Sequence, residues 1–153
     1  MKRTEIKDQT RKRKLSVRFG LLAGILMGAI LVLFEYAWGD TAPYLKLLQF
    51  VPLFVCIGLA IKVFKQQMHG RKIFIKGFDI GFRSSLVAGV ILFVLNVMLF
   101  IFANNLAFSV FTIEPHSIGQ AFIVSSILLF GTIAFGLIFS FINLTYLKES
   151  VDI

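Results

Sequence analysis

Four stretches, 19–38, 45–64, 84–102 and 121–144, are nearly free of charge over about 20 residues each, the length that carries an α-helix across a bilayer's hydrocarbon core. Asp, Glu, Lys and Arg enter them only near their ends, as Glu35, Lys46 and Lys62. A charge at the centre of a membrane helix costs about 3 kcal/mol on insertion scales, so this clearance restricts where the chain can reside. A water-soluble domain would alternate apolar and polar residues so that only one face of each element needed covering. Here 58% of the 153 residues are hydrophobic, and 18 are Phe. The expected fold class is all-α: a polytopic membrane protein with four transmembrane helices in a bundle and no separate soluble domain.

The 16 Lys and Arg residues predict the orientation. Lys2, Arg3, Lys7, Arg11, Lys12, Arg13, Lys14 and Arg18 precede the first run, and Lys62, Lys65, Arg71, Lys72, Lys76 and Arg83 surround the connection between the second and third. Basic loops stay in the cytoplasm, so both termini are expected there. Tyr36, Trp38, Tyr44 and Tyr146 all sit at run ends, where amphipathic rings favour the membrane–water boundary. The first run exceeds the roughly 7–15 apolar residues of a signal-peptide core, so it reads as a retained anchor. The expected organisation is a basic cytoplasmic tail, 1–18, then a transmembrane domain, 19–147, and a short cytoplasmic tail, 148–153. The first tail lacks an amphipathic stripe and is expected to be mobile. Within the transmembrane domain, Lys72, Lys76, Asp79 and Arg83 share one helical face of the connector 65–83, with Ile75, Phe78 and Phe82 on another. This predicts a short amphipathic helix on the inner membrane surface that runs into the third span, weakened by Gly77 and Gly81. Pro52 is expected to kink the second span.

A net charge of +8 would suggest nucleic acid in a soluble protein. Flanking membrane spans, it points instead to anionic lipid headgroups, with no nucleic-acid partner. Arg11, Lys12, Arg13, Lys14, Arg18, Arg71, Lys72, Lys76 and Arg83 are the candidate headgroup ligands, at about 1 kcal/mol each near an anionic surface. The plainer alternative is that these charges only set topology.

Helix association in lipid relies on close packing, which small residues permit. Gly20, Gly24 and Gly28 form a GxxxGxxxG series in the first span; Gly77, Gly81, Ser85 and Gly89 form a second series leading into the third. The two are expected at similar depth, packing on each other within one chain or mediating a homodimer. Gly131 and Gly136 are a weaker signal. Two polar residues are candidates for a transport pathway. Glu35 lies in the first span but near its outer end, where an interfacial side chain reaches water. Asn96, in the middle of the third run, is explained equally by a hydrogen bond between helices. Ser125, Ser126, Thr132 and Ser140 can bond their own backbones. Cys56 reads as a small core residue. His69 and His116 fall on opposite sides of the membrane and cannot share a metal. With no catalytic constellation, cofactor motif or metal cluster, no enzymatic activity, cofactor or metal is expected.

The stretch His69-Gly70-Arg71-Lys72-Ile73-Phe74-Ile75-Lys76-Gly77-Phe78-Asp79-Ile80-Gly81-Phe82-Arg83, continuing Ser84-Ser85-Leu86-Val87-Ala88-Gly89, resembles an uncharacterised family. So does the ending Gly136-Leu137-Ile138-Phe139-Ser140-Phe141-Ile142. The family is the domain of unknown function numbered 4199, four-helix membrane proteins found mainly in Bacteroidetes. The resemblance implies a four-span fold in a bacterial inner membrane and transfers no activity or functional residue.

The expected role is that of a non-catalytic accessory or assembly subunit acting through helix–helix and lipid contacts, with a homodimer or another membrane protein as partner. The alternative is a small oligomeric transporter or channel using Glu35 or Asn96. Gly24→Leu is expected to disrupt packing and lower the yield of folded protein; unchanged thermal stability and oligomer size would contradict the packing role.

Overall fold

The computed structural model of the chain describes residues 2–38, 43–67, 73–102 and 117–149, with side chains at 10, 12–33, 47–65, 75–102 and 117–146. Among these residues all regular structure is helical. Helix α1 spans Lys2–Trp38, α2 Val51–Gln67, α3 Ile73–Phe102 and α4 Ile118–Glu149, and a 3₁₀ segment, Pro43–Phe50, leads into α2. Four stretches, Lys12–Leu33, Leu47–Lys65, Ile75–Phe102 and Ile118–Tyr146, are long and apolar enough to cross a membrane. By that length and composition the chain is a multi-pass membrane protein.

The N-terminal tail, expected to be mobile, is helical and continuous with the first span. Lys, Arg, Gln and Glu are good helix formers, and the apolar helix beyond them removes the cost of nucleation. At 37 residues α1 is about 55 Å long, well beyond a hydrocarbon core of about 30 Å. Residues 73–83 of the connector are helical as expected and form the first turns of the 30-residue α3. Gly77 and Gly81 do not interrupt it, because both are buried at a helix contact that offsets their poor propensity. Pro52 stands in the first turn of α2, where its missing N–H is tolerated. The 3₁₀ segment ends immediately before this helix, so α2 gains a tighter lead-in. At α4 the Ser117 hydroxyl accepts a hydrogen bond from the Gln120 backbone N–H at 3.3 Å. Ser117-Ile118-Gly119-Gln120 is a capping-box sequence, and it starts α4 three residues before the predicted apolar run.

Helix α3 packs most extensively on α4 and on α1, while α2 touches all three others. A methyl group added at Gly20 would lie 2.7 Å from the Ser84 carbonyl oxygen, one at Gly24 3.0 Å from Ile91 Cβ, and one at Gly28 3.0 Å from Leu95 Cδ1. The numbers rise together, so α1 and α3 run parallel. On another face of α3, a methyl group at Gly77 would meet Leu144, one at Gly81 would meet Ser140, and one at Gly136 would meet Ser85, while one at Gly89 would lie 3.3 Å from the Leu129 carbonyl oxygen. These partners descend α4 as α3 rises, so the two helices are antiparallel. The two small-residue series therefore do not pack on each other. They engage different neighbours: Ser84, Ala88, Ile91 and Leu95 of α3 meet the glycines of α1, whereas Gly77, Gly81, Ser85 and Gly89 meet α4.

Between α4 and α2 with its 3₁₀ lead-in the contact is aromatic and parallel. Phe50 stacks on Phe135 with centroids 4.4 Å apart, and Phe54 meets Phe139 edge-on at 5.2 Å. One turn further, Gly58 faces the Asn143 side chain. The helix directions alternate along the chain, so the beginning of α1 and the end of α4 share one end. Ala23, Met27, Leu53, Ile57, Ala88, Leu92 and Leu128 form the interior, while Ile25, Leu33, Ile123, Phe130 and Phe141 point outward. An apolar exterior of this kind suits lipid.

Gly136→Ala drives a methyl group into Ser85 Cβ, which cannot rotate away, whereas nothing lies within 4 Å of a methyl group at Gly131. Overpacking costs about 1–3 kcal/mol. Gly136→Ala is therefore expected to lower the thermal midpoint in detergent, and Gly131→Ala to leave it unchanged or raised.

Candidate functional site

Between the N-terminal parts of α1 and α3 lies a polar cleft of about 380 Å³, lined by Thr10, Lys12, Arg13, Asp79 and Arg83. Its foundation is a contact one turn deeper. Ser84 Oγ donates to the Ser16 carbonyl oxygen at 3.2 Å, and Ser16 Oγ donates to the Lys12 carbonyl oxygen at 2.9 Å. Both serines are buried, and Gly20 lies one turn beyond Ser16, against the Ser84 carbonyl. The hydrogen bonds and the close approach hold the backbones carrying Lys12, Arg13 and Arg83 at a set separation.

The cleft's charges are arranged unequally. Arg83 Nε donates to Asp79 Oδ1 at 2.9 Å, one helical turn apart, with the side chains 50% and 36% exposed. Exposure limits such a pair to about 0.3–0.5 kcal/mol, so it orients the guanidinium more than it stabilises the helix. Lys12 leans over the Phe64 ring of α2, its Nζ 5.9 Å from the centroid. This is a cation–π contact between helices. Arg13 is exposed and has no ion-pair partner among the described residues. Among the described residues, one acid against three cations leaves the cleft positive.

Of the other candidate headgroup ligands, Lys14 and Arg18 are exposed on α1 outside the cleft, and Lys76 is half-buried near the start of α3. The side chain of Arg11 and residues Arg71 and Lys72 lie outside the described part, as do His69 and His116. The exposed apolar side chains Ile75, Phe78 and Phe82 share the first turns of α3 with Asp79 and Arg83.

Of the two candidate pathway residues, only Asn96 has a described side chain. Glu35 belongs to α1, with its side chain outside the described residues. Asn96 is buried, and its Nδ2 donates to Ser125 Oγ of α4 at 3.0 Å, while Ser125 Oγ donates to the Ala121 carbonyl oxygen at 2.7 Å. Asn96 lies in the last third of Ile75–Phe102 rather than in its middle, because α3 begins earlier than its uncharged run. Ser126, Thr132 and Ser140 donate to carbonyls of their own helix at 2.6–2.8 Å. Cys56 is buried. Among the described residues no group of three or more His, Cys, Asp or Glu side chains could hold a metal ion.

Gln49 escapes a reading based on charged and small residues. It is fully buried, and neither amide atom has a hydrogen-bond partner among the described residues. A signal existed: Gln49 extends the buried stripe Leu53, Ile57, Ala60 and Phe64 backward by four residues. Comparison of the chain with protein-family models, curated proteins and solved structures finds no match.

Two substitutions on the buried polar groups carry opposite signs. Asn96→Ala is expected to lower stability by about 0.6–1.7 kcal/mol, the range for hydrogen bonds between membrane helices. Gln49→Leu removes an unpartnered amide while retaining most of the volume, and is expected to raise it. Thermal unfolding in detergent, followed by circular dichroism, checks both.

Proposed function

We propose that this chain is a four-helix bundle of the bacterial inner membrane, with both termini in the cytoplasm, and that it serves as a non-catalytic accessory or assembly subunit through helix and lipid contacts. The observation that carries the reading is how the polar side chains in its spans are engaged. Asn96 is bonded to Ser125, Ser84 to Ser16, and Ser126, Thr132 and Ser140 to their own backbones. These bonds join helices or satisfy local carbonyls, and in lipid both uses serve assembly. The exterior between the ends offers apolar side chains to lipid or to another membrane protein.

The orientation rests on the basic residues. Lys12, Arg13, Lys14, Arg18, Lys76 and Arg83 lie towards the end where α1 and α3 begin, matching the bias that retains basic segments in the cytoplasm. The resemblance to the uncharacterised four-span family is compatible with this arrangement.

Two experiments test the proposal. With Cys56 replaced by Ser, Thr4→Cys and Ser150→Cys are expected to react with a membrane-impermeant maleimide only after spheroplasts are opened, and Thr112→Cys in intact spheroplasts; the reverse pattern would overturn the orientation. Native mass spectrometry of the protein extracted with its lipid is expected to show a stoichiometric protein partner. A bare homodimer would favour the transporter reading, in which Glu35→Gln abolishes flux.

A further inference from the structure

We infer that the cleft between the N-terminal parts of α1 and α3 is a binding site for a phosphate group, that of an anionic phospholipid headgroup, with Arg13 as its principal ligand and Asp79 as an internal restraint on affinity. The inference deepens the proposed lipid contact by selecting one place among many basic residues, and it rests on that reading for the leaflet involved.

Three observations converge. First, the cations come from two helices whose separation is held by the Ser84–Ser16 hydrogen bond and by the approach of Ser84 to Gly20, so they form a cleft rather than a flexible tuft. Second, they are available to different degrees. Arg83 is held by Asp79 and Lys12 by the Phe64 ring, whereas Arg13 is exposed without an ion-pair partner among the described residues. A guanidinium matches the oxygens of a phosphate with two parallel N–H donors, which a point charge does not. Third, the surface below the cleft is apolar and continuous with it. At helical steps from Asp79 and Arg83 follow the exposed Leu86, Val90 and Val94, and from Arg13 the exposed Val17 and Leu21. Arg83 to Val94 spans about 16 Å along the helix, matching the roughly 15 Å depth of one leaflet's hydrocarbon. An amphiphile with its phosphate at Arg13 would lay its acyl chains on this stripe; free phosphate would make no use of it.

The same geometry gives Asp79 a defined effect. Its carboxylate holds Arg83 and places a negative charge in the cleft, repelling the phosphate. Its removal should therefore tighten binding, while removal of Arg13 weakens it. Attraction by overall basic charge alone would not distinguish Arg13 from the exposed Arg18, which lies outside the cleft.

The test uses the full chain in neutral detergent, titrated with phosphatidylglycerol and with phosphatidylcholine, with retention read by native mass spectrometry. Arg13→Gln is expected to reduce phosphatidylglycerol retention about fivefold, and Arg18→Gln less than about twofold. Asp79→Asn is expected to increase it by about threefold. Equal losses from the two arginine variants would overturn the site, as would retention insensitive to Arg13→Gln or a loss with Asp79→Asn. Elution volume and thermal midpoint identify any variant that fails to fold, and Arg13→Lys, expected to bind between wild type and Arg13→Gln, provides a second measurement. If inorganic phosphate binds in an Arg13-dependent way and no lipid is retained, the assignment to a headgroup falls. Micelles have no sides, so a reversed maleimide pattern would overturn the orientation without altering these results.

Discussion

The structure depends on how closely α3 can approach two other helices at once. Lipid tails are as apolar as the side chains, so helices in a bilayer gain little by hiding leucines from them. Dispersion contacts and hydrogen bonds must hold them together, and both fall away steeply with distance. Gly20 admits the Ser84 carbonyl of α3 to 2.7 Å of the position its own Cβ would occupy. On another side of α3, Gly81 admits Ser140 and Gly136 admits Ser85. Helix α3 thus has two contact faces, one meeting the glycines of α1 and the other exchanging small residues with α4.

From this follow features that otherwise look unrelated. The α1–α3 approach brings Ser16 within hydrogen-bonding reach of Ser84, and it places the basic turns of α1 beside Asp79 and Arg83. The α3–α4 approach places Asn96 against Ser125, so that a buried amide becomes a link between helices. Helix α2 and the 3₁₀ segment before it are joined differently, with Phe50 of that segment and Phe54 of α2 against Phe135 and Phe139 on α4, and Phe64 beneath Lys12 of α1. Aromatic rings bridge a wider gap than glycines, consistent with the lesser contact α2 makes with each neighbour.

The four spans were legible because a bilayer imposes a length and a charge rule that local composition either meets or does not. The ends of helices were less legible. Charge marks where a run leaves hydrocarbon but not where its helix stops, so the tail from Lys2 carries no sign of its helix, whereas the spacing of Lys72, Lys76, Asp79 and Arg83 does point to the helical turns that run into α3. The capping pair Ser117 and Gln120 offered a local signal for the start of α4, three residues before the uncharged run. The glycine spacing pointed to close packing, yet it did not identify the partners, because a smooth face fits any other smooth face. Gln49 is neither charged nor small, and its position in the stripe of Leu53 and Ile57 accounts for its burial.

By itself the sequence determined the helical class, the number of apolar spans and the segregation of basic residues, since each follows from the cost of placing charge and backbone polar groups in hydrocarbon, which is a property of a segment. Which glycine face meets which helix, and which few cations share a cleft, was decided only by the tertiary structure. Arg13 and Arg18 are neighbours in sequence and alike in composition and exposure. They differ only because the approach of α3 to α1 places Asp79 and Arg83 beside one and not the other.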